Sequence, residues 1–217
     1  MAIDKNTLVL LHLDDNLADE CGHTFTAKNI GYTNAKFGQG VLAKGADSVI
    51  TCQSPGFALG GADFTVDFWM YNTKGGGYRS LYAINYDSTE GGLISEIMQY
   101  DWNTSRFYYR TNWSGSGFGS CSFEEQYDKW QHYAFVYQHA TKTTTIYVDG
   151  KKVASETKEC PRRNVYSIRL FNLVGDTLAA FGNIFDEFRI SDCARWTANF
   201  TPQKVPYGSE SAGGGRR

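Results

Sequence analysis

At 217 residues the chain has the size at which an all-β sandwich or barrel closes one core, so a single compact domain is the expectation. Its 21 Lys and Arg against 23 Asp and Glu leave a net charge of -2, which offers no basic field to a phosphate backbone and excludes nucleic acid as the natural partner. With 41% hydrophobic and 20% charged residues, 14 Tyr, 14 Phe and 23 Gly against 4 Pro, the composition favours strands joined by turns, and no apolar run approaches the roughly 18 residues of a membrane-spanning helix. In chain order, residues 1–6 mix acid and base without a small-residue cleavage site, so no secretory signal is read and synthesis and retention in a cytoplasm are expected. Residues 7–13 form a short apolar run. Residues 64–71 alternate strictly, and 130–137, 144–148, 167–171 and 184–190 repeat the pattern of half-buried strands. Turn signals separate them at Gly60-Gly61, Gly75-Gly76-Gly77, Gly91-Gly92, residues 114–119 and Asp149-Gly150. The last, followed by Lys151-Lys152-Val153-Ala154, predicts a tight hairpin. Helix is limited to one turn over 191–196, capped by Ser191 or Asp192.

Strands without intervening helices predict an all-β fold, a two-sheet antiparallel jelly-roll sandwich, over residues 1–207, with 208–217 as a flexible tail. Five cysteines (Cys21, Cys52, Cys121, Cys160, Cys193), odd in number and without a CxxC pair, predict free thiols rather than a disulfide scaffold or zinc site. Acceptor sequons at Asn103, Asn112 and Asn199 carry no meaning outside a secretory route.

Period 2 assigns faces. Phe64, Val66, Phe68 and Met70 share the side that packs between the sheets, while Asp67 and Trp69 share the other. In 130–137, Tyr133, Phe135 and Tyr137 share one face, and His132 lies on the opposite one with Trp130, Ala134 and Val136. Both faces are partly apolar, so the outer surface of this sheet is expected to be either covered or a binding face.

The runs Trp130-Gln131-His132-Tyr133-Ala134-Phe135-Val136-Tyr137, Thr145-Ile146-Tyr147-Val148-Asp149-Gly150-Lys151-Lys152-Val153-Ala154 and Ile184-Phe185-Asp186-Glu187-Phe188-Arg189-Ile190-Ser191 resemble the laminin-G-like branch of the concanavalin A-like lectin/glucanase superfamily. The opening Leu10-Leu11-His12-Leu13-Asp14 and the closing residues 192–202 resemble the versions found in bacteriophage virion proteins. The resemblance runs from about residue 7 to 202 and implies a two-sheet jelly roll, although members of the family include sugar binders, adhesion modules and structural domains. The chain departs from the pattern at Asp14-Asp15, where an Asp-Gly pair is usual.

Glycan-cleaving members carry Glu-x-Asp-x-x-Glu on one strand, because period 2 then aims acid, helper and nucleophile at one glycosidic bond. No such triplet occurs here. Glu124, Glu125 and Asp128 lie in a turn-like stretch and read as a solvated loop, so no catalytic residue is assigned. Asp186 has the parity of Ile184, Phe188 and Ile190, which predicts an inward carboxylate needing compensation by backbone donors, an arginine or a hard cation. The resemblance adds a structural calcium near the first and last strands, with Asp14 and Asp186 as its expected ligands. Glu187 and Arg189 read as a surface pair.

The glycan-binding candidates are Trp102, Asn103, Tyr108, Arg110, Asn112 and Trp113. Aromatic plates flanked by amide and guanidinium groups suit the C–H faces and hydroxyl rims of sugars, and the competing reading is turn and core packing. On a regular strand Tyr108 and Arg110 face outward, and Phe107 and Tyr109 face the core. If those aromatics are core, the binding face passes to Asp67, Trp69 and His132. Together these readings predict a non-enzymatic, lectin-like component of a phage virion. Its partner would be cell-surface carbohydrate or another virion protein, without membrane insertion, and a homo-oligomer is compatible with that role. The alternatives are a purely architectural capsid or tail module and a glycan-cleaving enzyme.

Overall fold

A computed structural model describes residues 3–73, 79–86, 95–101, 106–112, 119–124, 126–172 and 182–208. Its backbone forms two large antiparallel sheets. One holds β14 (Lys151–Thr157), β13 (Thr143–Val148), β12 (Trp130–Gln138), β7 (Phe64–Tyr71), β17 (Ile184–Ser191), β4 (Gln39–Ala43) and β3 (Ile30–Asn34) in that order, with β1 (Thr7–Leu11) also pairing with β17. The other holds β11 (Gly119–Glu124), β10 (Arg106–Asn112), β9 (Ser95–Asp101), β8 (Arg79–Asn85), β16 (Ser167–Leu170), β5 (Val49–Gln53) and β2 (Thr26–Lys28). A short pair, β6 (Ala58–Leu59) with β15 (Arg163–Asn164), stands apart. This is the all-β jelly roll that the alternation predicts.

The core is aromatic because the inward positions of β7 and β12 are. Phe68 lies against Tyr133, Phe135 and Phe188 at centroid distances of 5.7, 6.3 and 6.0 Å, and Tyr82 of the second sheet meets it edge-on at 5.7 Å. Phe64, Val66, Phe68 and Met70 are all buried on this side, as alternation requires. Phe107 and Tyr109 join them from β10, and Tyr109 stacks on Phe135 at 5.1 Å. The outward set of that strand includes Tyr108, which is half-buried.

Two local features set up the outer face of the eight-stranded sheet. The Asp149-Gly150 hairpin has φ of 51° and 74°, the doubly positive pair of a type I′ turn. The Asp149 carboxylate accepts the His132 backbone N–H at 3.0 Å and Gln131 Nε2 at 3.2 Å. In β17 the register slips between Asp186 and Arg189, with Glu187 at φ 55°. This bulge lets Phe185 and Phe188, three residues apart, both enter the core.

The bulge corrects the predicted parity of Asp186. It pairs with Trp69, so it lies on the outer side of the sheet with Asp67 and not among the core residues. The single helical turn expected over 191–196 is absent, because β7 and the N-terminal segment satisfy that backbone instead. Thr65 Oγ1 donates to Cys193 O at 2.7 Å and accepts from Arg195 N at 3.1 Å, and Asp192 N donates to Asn6 O. All five thiols are free. Burial pushes Cys21 up to about 11 and Cys121 up to about 12, which leaves little thiolate at neutral pH.

Candidate functional site

Around β12, β13 and β7 the outer face of the eight-stranded sheet is covered by residues 192–208. Trp196 and Phe200 stack at 3.9 Å with an interplanar angle of 6° and pack on Ala134, Val136 and Tyr147. His132 meets Trp69, Trp196 and Phe200 edge-on at 5.3, 5.6 and 5.7 Å. Asp67, Trp69 and His132 are 0%, 6% and 1% exposed, so the alternative binding face proposed for them from the sequence does not exist on the surface.

Beneath this cover lies a network of charges. Arg189 grips Asp67 with two bonds, Nε to Oδ1 at 3.0 Å and Nη2 to Oδ2 at 2.8 Å. The Tyr207 hydroxyl donates to Asp67 Oδ2 at 2.5 Å and lies 2.9 Å from His132 Nε2. Burial alone would raise the Asp67 carboxyl. The Arg189 charge and the His132 hydrogen bond outweigh burial and hold it well below the usual carboxylate range. The Arg189 guanidinium also lies 3.8 Å from the Tyr207 ring centroid. Glu187 completes the arrangement, accepting Tyr207 N at 2.7 Å and facing His12 Nδ1 at 2.7 Å, a bond that raises His12. Glu187 and Arg189 are therefore 0% and 7% exposed, not the surface pair that parity suggested.

Asp14 and Asp186 approach one loop from two sides. Asp186 Oδ2 accepts the Phe37 N–H at 2.8 Å, and the exposed Asp14 accepts the Gln39 N–H at 2.7 Å. Burial pushes the Asp186 carboxyl up to about 8 against the Phe37 bond, and the charges of Glu187 and Asp14 add to the rise. Its Oδ1 is buried without a hydrogen-bond partner. That oxygen suits a positive partner, which fits calcium. Among the described residues, however, no third His, Cys, Asp or Glu converges there, so carbonyl and water oxygens would have to complete the six to eight that calcium takes.

Of the glycan-binding candidates, Trp102, Asn103 and Trp113 lie outside the described residues, as does Glu125. Arg110 and Asn112 fall on β10, paired with Ile97 and Ser95 of β9. Tyr108 stands opposite Ser122 of β11, beside Arg106, whose Nε donates to Ser122 Oγ at 2.9 Å. Glu124 and Asp128 are exposed.

Residues 44–199, more than two thirds of the chain, match the Laminin_G_3 family. The chain belongs to the concanavalin A-like lectin/glucanases superfamily. Solved structures place this concanavalin A-like domain beside the binding domain of botulinum neurotoxin serotype G, at TM-score 0.68 and 14% identity over 87% of this chain and 48% of that one. The binding domain of Paraclostridial Mosquitocidal Protein 1 gives TM-score 0.67 and 16% identity, over 87% and 49%. Domain 4 of AbnA, an extracellular arabinanase from Geobacillus stearothermophilus solved in complex with arabinotriose, gives 0.66 and 16%, over 87% and 93%. The chain thus spans about half the length of the toxin binding domains it matches, and at these identities the likeness is one of fold. Among curated protein sequences none matches.

Proposed function

We propose that this chain is a non-enzymatic, lectin-like module of a virion that attaches the particle to carbohydrate on a cell surface. The observation that carries the non-enzymatic part is the state of the strand-borne carboxylates near the sheet's centre. Asp67 is held by Arg189 and Tyr207, Glu187 by Tyr207 N and His12, and Asp186 by Phe37 N. General acid and nucleophile in a glycosidase must instead flank an accessible bond. The carbohydrate part is supported by the superfamily, by the arabinotriose complex of the AbnA domain, and by Tyr108 and Arg106 on the outward side of β10. The virion setting rests on the resemblance of residues 10–14 and 192–202.

A glycan array probed with the full chain tests the reading, alongside an assay for reducing sugar released from bacterial polysaccharide. Saturable binding without release is expected. A blank array would leave an architectural module, and release abolished by Glu124→Ala or Asp128→Ala would make the chain a hydrolase. Calcium at Asp14 and Asp186 belongs to the same proposal, resting on the unpaired Asp186 oxygen.

A further inference from the structure

A cleft of about 520 Å³ opens at one end of the seven-stranded sheet, where β5 and β8 finish and β16 begins. Its walls include Ser54, Phe57, Tyr86, Asn164 and Tyr166. Three of these five side chains are aromatic, and none of the described lining residues carries a charge. Two other clefts differ in this respect. One is lined by Asp4, Arg189 and Arg195, and another by Arg106 and Glu124.

Backbone bonds from separate elements hold the cleft in shape. Ser54 N donates to Tyr166 O at 2.7 Å, Tyr166 N to Asn85 O at 2.8 Å and Val165 N to Phe57 O at 2.9 Å. Behind them Asn85 Nδ2 donates to Ser167 Oγ at 3.0 Å, and β15 pairs with β6 through Asn164 and Ala58. Phe57 is seated against the core and meets His23 edge-on at 5.6 Å. Phe57 and Tyr166 remain half-buried, and Ser54 and Asn164 are exposed. The Phe57 and Tyr86 rings fixed by packing, with the Ser54 hydroxyl and Asn164 amide left in solvent, form a preorganised surface that loses little freedom on binding.

From this we infer that the cleft is a saccharide subsite for a neutral sugar residue, separate from β10. Such a ligand offers apolar C–H faces to Phe57, Tyr86 and Tyr166 and hydroxyls to Ser54 and Asn164. The volume lies within the range of small-ligand pockets. An anionic sugar would find no cation to meet its carboxylate, since Lys, Arg and His are absent among the described lining residues, and its desolvation would go uncompensated. The inference rests on the lectin-like reading above and adds the place and charge class of the sugar.

Amide NMR spectra of the full chain, titrated with the methyl glycosides of glucose, galactose, mannose and L-arabinose and with N-acetylneuraminic acid, test it. At least one neutral glycoside should give saturable shifts at Ser54, Gly56, Phe57, Asn164 and Tyr166, and N-acetylneuraminic acid should leave these amides unmoved. Asn164→Ala and Tyr166→Ala should each weaken that binding at least fivefold, whereas Tyr32→Ala, at an exposed ring on β3 of the other sheet, should leave it unchanged. Asn164 is exposed, so its variant separates lost contacts from lost folding. Silence of the cleft amides towards every neutral glycoside, shifts confined to β10 and its neighbours, or equal binding of the anionic sugar would each overturn the inference. Array binding that survives both cleft variants overturns this cleft and leaves the lectin reading standing, while a blank array together with silent spectra removes both.

Discussion

Asp67 is a carboxylate with no water to face, and its partners come from three distant parts of the chain: Arg189, His132 and Tyr207. Removing one partner from such a buried pair leaves the other charge uncompensated, so Asp67→Ala should cost about 3–5 kcal/mol. A chain of this length loses roughly 2–4 °C of melting temperature for each kcal/mol. Tyr207→Phe deletes one hydrogen bond to a charged group and should cost about 1.5–3 kcal/mol. Thermal melts of the two variants check the order. The same residue sets the acid response. Because its pKa is lowered in the folded state, its contribution is complete above the unfolded value of roughly 4 and is lost as pH falls below it. Urea midpoints measured from pH 6 to pH 2 should therefore fall more steeply for the wild type than for Asp67→Asn, and equal slopes would refute the assignment. His132 Nε2 faces two oxygens, Asp67 Oδ2 at 3.3 Å and the Tyr207 hydroxyl at 2.9 Å, and since the hydroxyl hydrogen points to Asp67, Nε2 is the nitrogen that donates.

At the level of elements, β7 and β12 were legible because every second residue is apolar or aromatic, and the Asp149-Gly150 turn because both residues tolerate positive φ. In β17 regular alternation failed, since the bulge falls on Glu187, where no glycine marks it. The readable clue was a pair of phenylalanines three apart enclosing two acids, which period 2 cannot bury on one side. Strands of two or three residues such as β2, β6 and β15 are too short to show any period. The covering segment was hidden for a related reason: Trp196, Phe200 and Tyr207 are spaced irregularly, and the apolar outer face of β12 left open whether it was covered or a binding face. Gly150 is where hairpin and cover touch. A Cβ there would run into Phe200 O, whereas one at Gly22, also at positive φ, would meet open space. Gly22→Ala should thus cost only the backbone strain of about 1–2 kcal/mol, and Gly150→Ala should exceed it by about 1–3 kcal/mol of overpacking. Chemical denaturation of both variants measures the difference, and equal losses would mean that Phe200 moves aside freely.

For the whole molecule, the eight-stranded sheet is interior on one face against the second sheet and, around β12, β13 and β7, on the other under residues 192–208, while the edge strand β14 stays largely exposed. A chain shortened to end at residue 191 should expose Ala134, Val136 and Tyr147 and bind ANS, and an unchanged dye signal would show the cover to be dispensable. If calcium sits at Asp14 and Asp186, EDTA should lower the melting temperature and added calcium should restore it, by mass action on the folded state. A melt indifferent to EDTA leaves a proton as the partner of the Asp186 oxygen. The position of Tyr207 also determines how the fold bears mechanical load. Its ring and hydroxyl are anchored beneath the cover, and Gly208 after it is exposed. Anything tethered beyond that point pulls first on one aromatic plug and its bonds to Asp67 and Glu187, and only then on strand pairs. Tension at this end would peel the cover away contact by contact at modest force, with the sheets behind it still paired.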